Sequence, residues 1–352
     1  MDHIQKKDVA KCDLDLYIGY LMSVSKNKGC TRMADALPDC SHDAVTRFLG
    51  RADYSSEDLF LRCKEYVVLS GGILSCDDTV LDKPHCDPEK NPLVGLHWSG
   101  KHKSAVQGIC LATMFYTDMN GARFPVNYRV YLQKGEKSKN GFFIEMLAEC
   151  KTWGLCPAAI AGDSRYASAK NLAACRAGGH DALFAVRPDR MISTQKGRYQ
   201  KVGEADISED GLFTHLNGFD WVTVFMEKDA GTGARRHYVY YKCPRDARGK
   251  PAKPGFRGEY PKPEKTLRDV FESKKKEHWN IECYHRALKH TCNVENFQVR
   301  KAKQVLTHIF SALCAFVNPE KMVVGKMIGS WYGFREALER ETLRPYLAQL
   351  NT

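Results

Sequence analysis

The sequence predicts an α/β protein (α+β, with a mixed sheet) in which helices cover the faces of the sheet, and three observations indicate this class. The chain has 352 residues, which is enough for one large domain with one or two smaller ones. Hydrophobic residues make up 43% of it, so a substantial buried core is possible. After residue 65, short β-rich runs alternate with segments of helical periodicity, as in sheets that are covered by helices.

The first 65 residues are predicted to be helical. Four apolar side chains near the start recur at helical spacing: Leu14, Tyr17, Ile18 and Leu21. A short helix from Thr31 to Leu37 precedes a turn at residues 38–40, and Ser41 is a suitable cap for a second helix. Two short helices around a tight turn resemble a helix-turn-helix, and a small helical bundle without DNA contact is an equal alternative.

A region of strands follows, interrupted by helices. The β-rich runs are Tyr66–Leu69, Ile73–Val80, Gly108–Tyr116 and Pro125–Leu132, and the turn sequence Asp118–Gly121 separates the last two. The later elements are a helix at Phe142–Trp153, a strand at Ala158–Ala161, a helix at Ala167–Ala177 and a strand at Ala182–Val186. Three strands, helix, strand, helix, strand is the order of the ribonuclease-H-like fold.

A second β-rich region runs from Gly197 to Tyr241, and its clearest strands are Trp221–Phe225 and His237–Tyr241. From Gly233 to Lys265 there are ten Lys or Arg residues against three Asp or Glu, with five prolines among them. This composition predicts an extended segment that lies along phosphates, or else a solvated loop. The remainder, Leu267–Leu347, has a helical composition.

These patterns predict five segments of the chain. They are an N-terminal helical segment (1–65), the first part of a ribonuclease-H-like core (66–187), a β-rich insertion with a basic, proline-rich end (188–265), the second part of the core (266–317) and a C-terminal helical segment (318–352).

Charge and cysteine content restrict the class of function. The net charge of +11 favours a polyanionic partner, usually nucleic acid. The 14 cysteines include no Cys-x-x-Cys pair, and close pairings such as Cys76/Cys86 and Cys150/Cys156 lack zinc-finger spacing. We therefore expect reduced, mostly buried thiols in a cytoplasmic protein. No apolar run approaches the roughly 18 residues of a membrane span, and no secretory leader is apparent.

Three acidic positions are candidates for catalysis. Asp77 and Asp78 lie near the end of a predicted strand, Asp163 follows the next short strand, and Glu282 lies in a helical segment. Because side chains alternate along a strand, only one of Asp77 and Asp78 can point at a shared site. Carboxylates that lie close together repel one another unless a cation binds between them, and magnesium prefers such oxygen ligands. Two ions about 4 Å apart activate the attacking oxygen and stabilise the leaving one.

The helix around Glu282 has two distinct faces. Its polar face carries Glu282 together with His285, Arg286 and Lys289. This face would offer one acid to metal and several bases to phosphates, or would otherwise be a solvated face with internal salt bridges. An adjacent apolar stripe suited to packing on the sheet comprises Ile281, Tyr284 and Leu288.

At these residues the sequence resembles the DDE transposases of bacterial insertion sequences, in the branch whose ribonuclease-H-like core carries a β-rich insertion. The matching motifs are Cys76-Asp-Asp-Thr79, Ala161-Gly-Asp-Ser-Arg-Tyr166 and Ile281-Glu-Cys-Tyr-His-Arg-Ala-Leu-Lys289. In the family the first Asp usually precedes Thr directly, so the resemblance selects Asp78 over Asp77. It implies Asp78, Asp163 and Glu282 as the catalytic and metal-binding carboxylates.

This branch also carries the signature Tyr-x2-Arg-x3-Glu-x6-Lys. Lys289 matches its last position, whereas His278 stands at the Arg position and Lys275 at the Tyr position. The DNA-contacting residues expected on this basis and from the neighbouring basic positions are Lys275, His278, His285, Arg286, Lys289, Arg300 and Lys301, with Lys303 beside them.

The resemblance implies magnesium-dependent cut-and-paste transposition. Two Mg²⁺ ions, for which Mn²⁺ can substitute, would serve cleavage at the terminal inverted repeats and transfer of the freed 3′-hydroxyl to target DNA. The partners would be double-stranded DNA and a second copy of the chain, with no membrane, in a bacterial, nucleoid-associated setting. Relatives hold a flipped base on an aromatic of the insertion, for which Trp221 is the candidate, although a core position is the commoner role of such a Trp.

Other interpretations remain open. His85, His97 and His102 could bind metal together with Cys86, but their irregular sequence context favours ordinary solvent or phosphate contacts. A transposase-derived DNA-binding protein, or a nuclease on the same fold that performs no strand transfer, is the alternative function. A carbohydrate hydrolase using two carboxylates is disfavoured by the net charge of +11.

Overall fold

The computed structural model describes residues 11–23, 29–37, 39–132, 135, 137–195, 197–229, 231–245 and 265–330, with residues 333, 336, 337, 340 and 341 beyond them. The helices are α1 (Leu14–Ser23), α2 (Cys30–Ala36), α3 (His42–Arg51), α4 (Ser56–Cys63), α5 (Lys139–Thr152), α6 (Ala169–Gly178), α7 (Lys265–His290) and α8 (Ala302–Val324). The strands are β1 (Ile73–Asp82), β2 (Gly95–Ser99), β3 (Ser104–Thr117), β4 (Arg123–Tyr131), β5 (Ala159–Gly162), β6 (Asp181–Val186), β7 (Met191–Gln195), β8 (Arg198–Lys201), β9 (Leu212–Leu216), β10 (Trp221–Lys228) and β11 (Arg235–Tyr241).

The chain divides into two compact units. The first comprises Met1–Tyr66, Val80–Cys110 and Tyr284–Thr352, and the second comprises Val67–Thr79 and Leu111–Cys283. Each unit therefore draws on segments that are distant in sequence.

In the first unit, α1, α3 and α4 all pack on α8. The side-chain oxygen of Ser41 accepts a hydrogen bond from the Ala44 N–H, as expected for the cap of α3. The ring of Tyr54 stacks on Phe310 at 4.3 Å, and Tyr17 hydrogen-bonds His308 at 2.8 Å. The N-terminal helices thus form a small bundle around α8, and the helix-turn-helix role of α2 and α3 stays a prediction.

The strands form one mixed sheet in the order β2-β3-β1-β5-β6-β11-β10-β9-β7-β8, with β4 also paired to β3. Strands β1, β5 and β6 run parallel to one another, and β11 joins β6 in antiparallel orientation. The strands of the predicted insertion, β7 to β11, therefore extend the same sheet. The mixed sheet and its helices confirm the predicted fold class.

Two local predictions were wrong. Tyr66–Leu69 is not a strand, because its backbone bonds elsewhere: the Val68 N–H donates to the Asp118 carboxylate, and the Leu69 carbonyl accepts from the Cys156 N–H. Conversely, β2 forms where the sequence indicated an irregular loop. Its polar residue His97 is buried while Leu96 and Trp98 are 58% and 57% exposed, which inverts the usual polarity of a strand.

Part of the core of the second unit lies on the face of the sheet that α7 covers. A buried cluster joins β1, β5, β6, β10 and β11 to this helix through Ile73, Ala159, Ala161, Leu183, Phe225, Tyr240, Leu267 and Phe271. The rings of Phe225 and Phe271 stack at 4.4 Å. On the opposite face of the sheet, helix α5 supplies Phe143, whose ring lies 6.0 Å from that of Phe184.

A glycine directly before Asp163 allows the strands and rings to approach closely. A Cβ on Gly162 would lie 2.9 Å from the Phe184 ring and 3.1 Å from the Cys76 carbonyl oxygen. A side chain here would therefore push apart the elements that position the next residue.

All fourteen cysteine thiols are free and most are buried, as the sequence predicted. In the described residues, no helix is long and apolar enough to cross a membrane. Residues 246–264, which include most of the basic, proline-rich stretch, lie outside the described part of the chain.

Candidate active site

The register of two parallel strands brings two of the candidate carboxylates together. Cys76 of β1 pairs with Gly162 of β5, so the next residues, Asp77 and Asp163, follow in register. Residues in register on parallel strands point to the same face of the sheet. That face also carries Ile73 of β1, which packs against α7 in the buried cluster.

Helix α7 carries the third carboxylate on this side of the sheet. Burial raises the pKa of Asp77 well above its usual value, and the nearby charges of Asp163, Glu282 and Asp78 raise it further. Burial and the charge of Asp78 also raise the pKa of Asp163. The mutual repulsion that the sequence predicted for grouped carboxylates is therefore present around Asp77.

Asp78 points the other way. Its carboxylate accepts a hydrogen bond from Lys139 Nζ at 2.6 Å and one from the Tyr166 hydroxyl at 3.2 Å. Arg165 Nη1 lies 3.5 Å from the same carboxylate, and the Asp78 side chain is only 7% exposed. The residue that the resemblance selected is thus compensated by cations from α5 and from the loop after β5, and it lies on the face opposite to Asp77.

The donor chemistry of Asp77, Asp163 and Glu282 fits a hard divalent cation, since all three offer carboxylate oxygens and their charges repel one another. Among the residues that the structure describes, however, no group of three His, Cys, Asp or Glu side chains is arranged to hold a metal ion. This also applies to the alternative cluster: His97 is buried in β2, and His102 Nε2 lies 2.8 Å from an Asp82 carboxylate oxygen.

A cavity of about 830 Å³ opens beside these carboxylates. Asp163 and Glu282 line it, together with the basic side chains Arg187, Arg235, Arg236, Lys275 and Lys276. Trp279, one helical turn before Glu282, also lines it and is 56% exposed. The cavity therefore combines acids, bases and an exposed aromatic ring.

Two predicted DNA contacts lie on the N-terminal side of Glu282. Lys275 forms an ion pair with Glu227, and its ammonium nitrogen lies 5.6 Å from the centre of the Tyr238 ring. Burial lowers the pKa of His278 to about 4, so this side chain is neutral near pH 7. Its Nδ1 has no hydrogen-bond partner within the described ranges. Both residues line the cavity, but neither presents an uncompensated positive charge.

The predicted contacts after Glu282 fall into two groups. His285 is buried, and Lys289 Nζ donates to the Val80 carbonyl at 2.6 Å and pairs with Glu295 at 3.1 Å. Side chains that are exposed and thus accessible to phosphates are Arg286, Arg300, Lys301 and Lys303. The expected apolar stripe of Ile281, Tyr284 and Leu288 is buried.

Trp221 lies at the start of β10 and is partly buried. Its ring stacks on Phe213 with centres 5.2 Å apart, and His215 meets it edge-on at 5.9 Å. These contacts are those of a packed aromatic cluster, and the base-holding role of Trp221 stays a prediction.

Sequence reasoning missed Lys139 and Trp279. Arg165 and Tyr166 belong to the motif that identified Asp163, so their presence there was a usable signal. Lys139 starts α5, 61 positions from Asp78, and no local pattern links the two.

Comparison with known proteins identifies the family and the fold. The family model described as "Transposase DDE domain" matches residues 77–317. No curated protein matches the chain. A piggyBac transposase, solved by cryo-EM as a synaptic complex with hairpin DNA, is similar with a TM-score of 0.51 and 15% identity, over 92% of this chain and 68% of that one. This likeness shows the ribonuclease-H-like fold, and the family match shows that the chain belongs to the DDE transposases.

Proposed function

We propose that the protein is the transposase of a bacterial insertion sequence, which binds the terminal inverted repeats, cleaves DNA there and joins the freed 3′ end to target DNA. The observation that carries this proposal is the placement of Asp77 and Asp163 in register on the face that α7 covers, with the charge of Glu282 acting on Asp77. Carboxylates grouped in this way suit phosphodiester chemistry assisted by divalent cations.

For the first carboxylate we propose Asp77 in place of Asp78. Asp77 shares its face with Asp163, whereas the Asp78 carboxylate accepts a hydrogen bond from Lys139. A carboxylate that is already compensated by a buried ammonium group is a poorer metal ligand, because the cation must compete with that partner. The Asp78 N–H donates to Asp77 Oδ1 at 2.8 Å, which restrains the Asp77 side chain.

Asp77, Asp163 and Glu282 would hold two magnesium ions, for which manganese can substitute. When bound, such ions lower the pKa of the attacking oxygen and stabilise the leaving one. The protein itself contributes a basic cavity wall, and from this wall Arg235 and Lys276 can neutralise phosphate charge. The ring of Trp279 offers a stacking surface for a nucleotide beside Glu282.

Two partners follow from this function. Double-stranded DNA is consistent with the net charge of +11 and with the exposed bases after Glu282. Bringing two ends of an element together suggests a homodimer on DNA, in the bacterial cytoplasm at the nucleoid. Light scattering of the protein with and without a terminal-repeat duplex measures that assembly.

The test is cleavage of a labelled duplex that carries the element's own terminal repeat, with Mg²⁺, with Mn²⁺ and with neither. We expect metal-dependent cleavage at the repeat boundary that is lost in Asp77→Asn and Asp163→Asn. Cleavage without joining to a target duplex would favour the nuclease alternative. Binding without cleavage in either metal would favour a transposase-derived DNA-binding protein.

A further inference from the structure

We infer that Asp78 and Lys139 are positioning residues, which hold in place the loop that carries Asp163. The part of this inference that concerns catalysis rests on the proposed function, whereas the part that concerns the loop does not.

Three separate segments meet at the Asp78 carboxylate. β1 provides Asp78 itself, the first residue of α5 provides Lys139, and the loop after β5 provides Arg165 and Tyr166. The Lys139 and Asp78 side chains are 12% and 7% exposed, so solvent screens this pair weakly. A buried ion pair restrains its partners because separating them leaves a charge without compensation.

The same loop holds Asp163 through its backbone. The Arg165 N–H donates to Asp163 Oδ1 at 2.9 Å, and the Tyr166 N–H donates to the Asp163 carbonyl at 3.1 Å. Arg165 and Tyr166 thus contact Asp163 with their backbones and Asp78 with their side chains. Displacement of either residue therefore changes the orientation of the Asp163 carboxylate.

The loop is anchored on its other side by packing. Tyr166 is fully buried, and its ring lies 5.9 Å from that of Phe143 in α5. Asn171 Nδ2 donates to the Tyr166 carbonyl at 3.0 Å. Since Lys139 and Phe143 approach the loop from the same helix, α5 and Asp78 together restrain the loop's conformation.

The experiment uses three variants: Asp78→Asn, Lys139→Met and the double variant that combines them. The control is Lys137→Met, which removes a lysine from an exposed pair with Glu145 near the start of α5. Hydrogen exchange of residues 163–168 is measured without DNA or metal. We expect exchange about tenfold faster in both single variants, no further acceleration in the double variant, and no change in Lys137→Met.

A second measurement separates positioning from metal binding. Titration of the DNA-free proteins with Mn²⁺, followed by electron paramagnetic resonance, should show weakening of at most about tenfold in Asp78→Asn and Lys139→Met, and near loss of binding in Asp77→Asn. Unchanged exchange at 163–168 in both single variants would overturn the inference. So would loss of Mn²⁺ binding in Asp78→Asn with full binding in Lys139→Met, since that pattern identifies Asp78 as a ligand. Neither readout depends on DNA cleavage, so failure of the proposed function would leave this result interpretable.

Discussion

Asp77 and Asp78 are neighbours in sequence and belong to opposite faces of the same sheet. On the α7 face, Asp77 meets the charges of Asp163 and Glu282, and its pKa is raised. On the α5 face, Asp78 meets Lys139 and Arg165. One face therefore concentrates negative charge, while the other compensates it.

With this arrangement, one strand could serve two purposes with two adjacent acids. A carboxylate that lies beside other carboxylates is unfavourable unless a cation binds there, which is a property of sites that bind metals. A carboxylate with a buried ammonium partner is satisfied without a ligand and stabilises its surroundings. The alternation of side chains along β1 places one of each at the same end of the sheet.

The largest effect is expected on the rate of DNA cleavage when each of the two acids is substituted separately. Asp77→Asn should reduce the single-turnover cleavage rate by about 10³-fold, because it removes a carboxylate that the metal ions need in the transition state. Asp78→Asn should reduce it by about tenfold, through the orientation of Asp163. Quenched-flow cleavage at saturating Mg²⁺ measures both rates. A larger loss in Asp78→Asn would reverse the roles assigned to the two faces.

The compensated face should respond more strongly in stability. Lys139→Met leaves the Asp78 carboxylate with one weaker cationic neighbour and should lower the free energy of unfolding by about 3 kcal/mol. Lys137→Met, at an exposed pair, should lower it by at most about 1 kcal/mol. Urea denaturation gives both values, and equal losses of unfolding free energy in the two variants would show that the buried pair stabilises the fold no more than the exposed pair does.

On α7, His278 should make the stability of the protein depend on pH. Burial lowers the folded-state pKa of His278 to about 4 from 6.5, so the unfolded chain binds more protons between these values. The contribution of neutral His278 is fully present above pH 6.5 and is lost as the pH falls towards 4, by about 3 kcal/mol. His278→Gln should therefore flatten the decline of unfolding free energy across this window, and an unchanged slope would contradict a buried, neutral imidazole.

The order of core elements could be predicted from sequence because its signals are local. The turn at Asp118–Gly121, the cap at Ser41 and the apolar runs of β1 and β5 each lie within a few residues. The choice between Asp77 and Asp78 depends on the register of β1 with β5 and on a lysine 61 positions away, and neither is encoded locally. The family motif selects Asp78 because it directly precedes Thr79, whereas our proposal of Asp77 depends on strand register and on contacts between residues distant in sequence.

The strand β2 and the helix around Lys289 show the same limit. β2 was missed because Leu96 and Trp98 are exposed while His97 is buried, so its pattern contradicts the polarity expected of a strand. On the predicted polar face of α7, Arg286 is exposed, but His285 is buried, and Lys289 donates to the Val80 carbonyl. Periodicity predicts which residues share a helix face, whereas the segments that pack against the helix determine what those residues contact.

The smallest effect tests whether the α7 face is where DNA lies, by comparing two tryptophans. Trp279 is 56% exposed at the cavity beside Glu282, whereas Trp221 stacks on Phe213 within the sheet. Loss of a stacking surface typically costs about 1–3 kcal/mol per base, so Trp279→Ala should weaken binding of a terminal-repeat duplex about tenfold and leave the melting temperature unchanged. Trp221→Ala should instead lower stability, because it opens a packed aromatic cluster.

Fluorescence anisotropy with a labelled duplex and a thermal melt of each variant separate these effects. Weaker DNA binding in Trp221→Ala at full stability, with normal binding in Trp279→Ala, would move the base-contacting role to β10, as the family resemblance implies. The opposite pattern would place it on α7, where the exposed ring and the carboxylates of Asp163 and Glu282 line one cavity. DNA would then meet the face of the sheet on which these carboxylates lie, and metal ions held there would be the cations that allow a phosphate to approach.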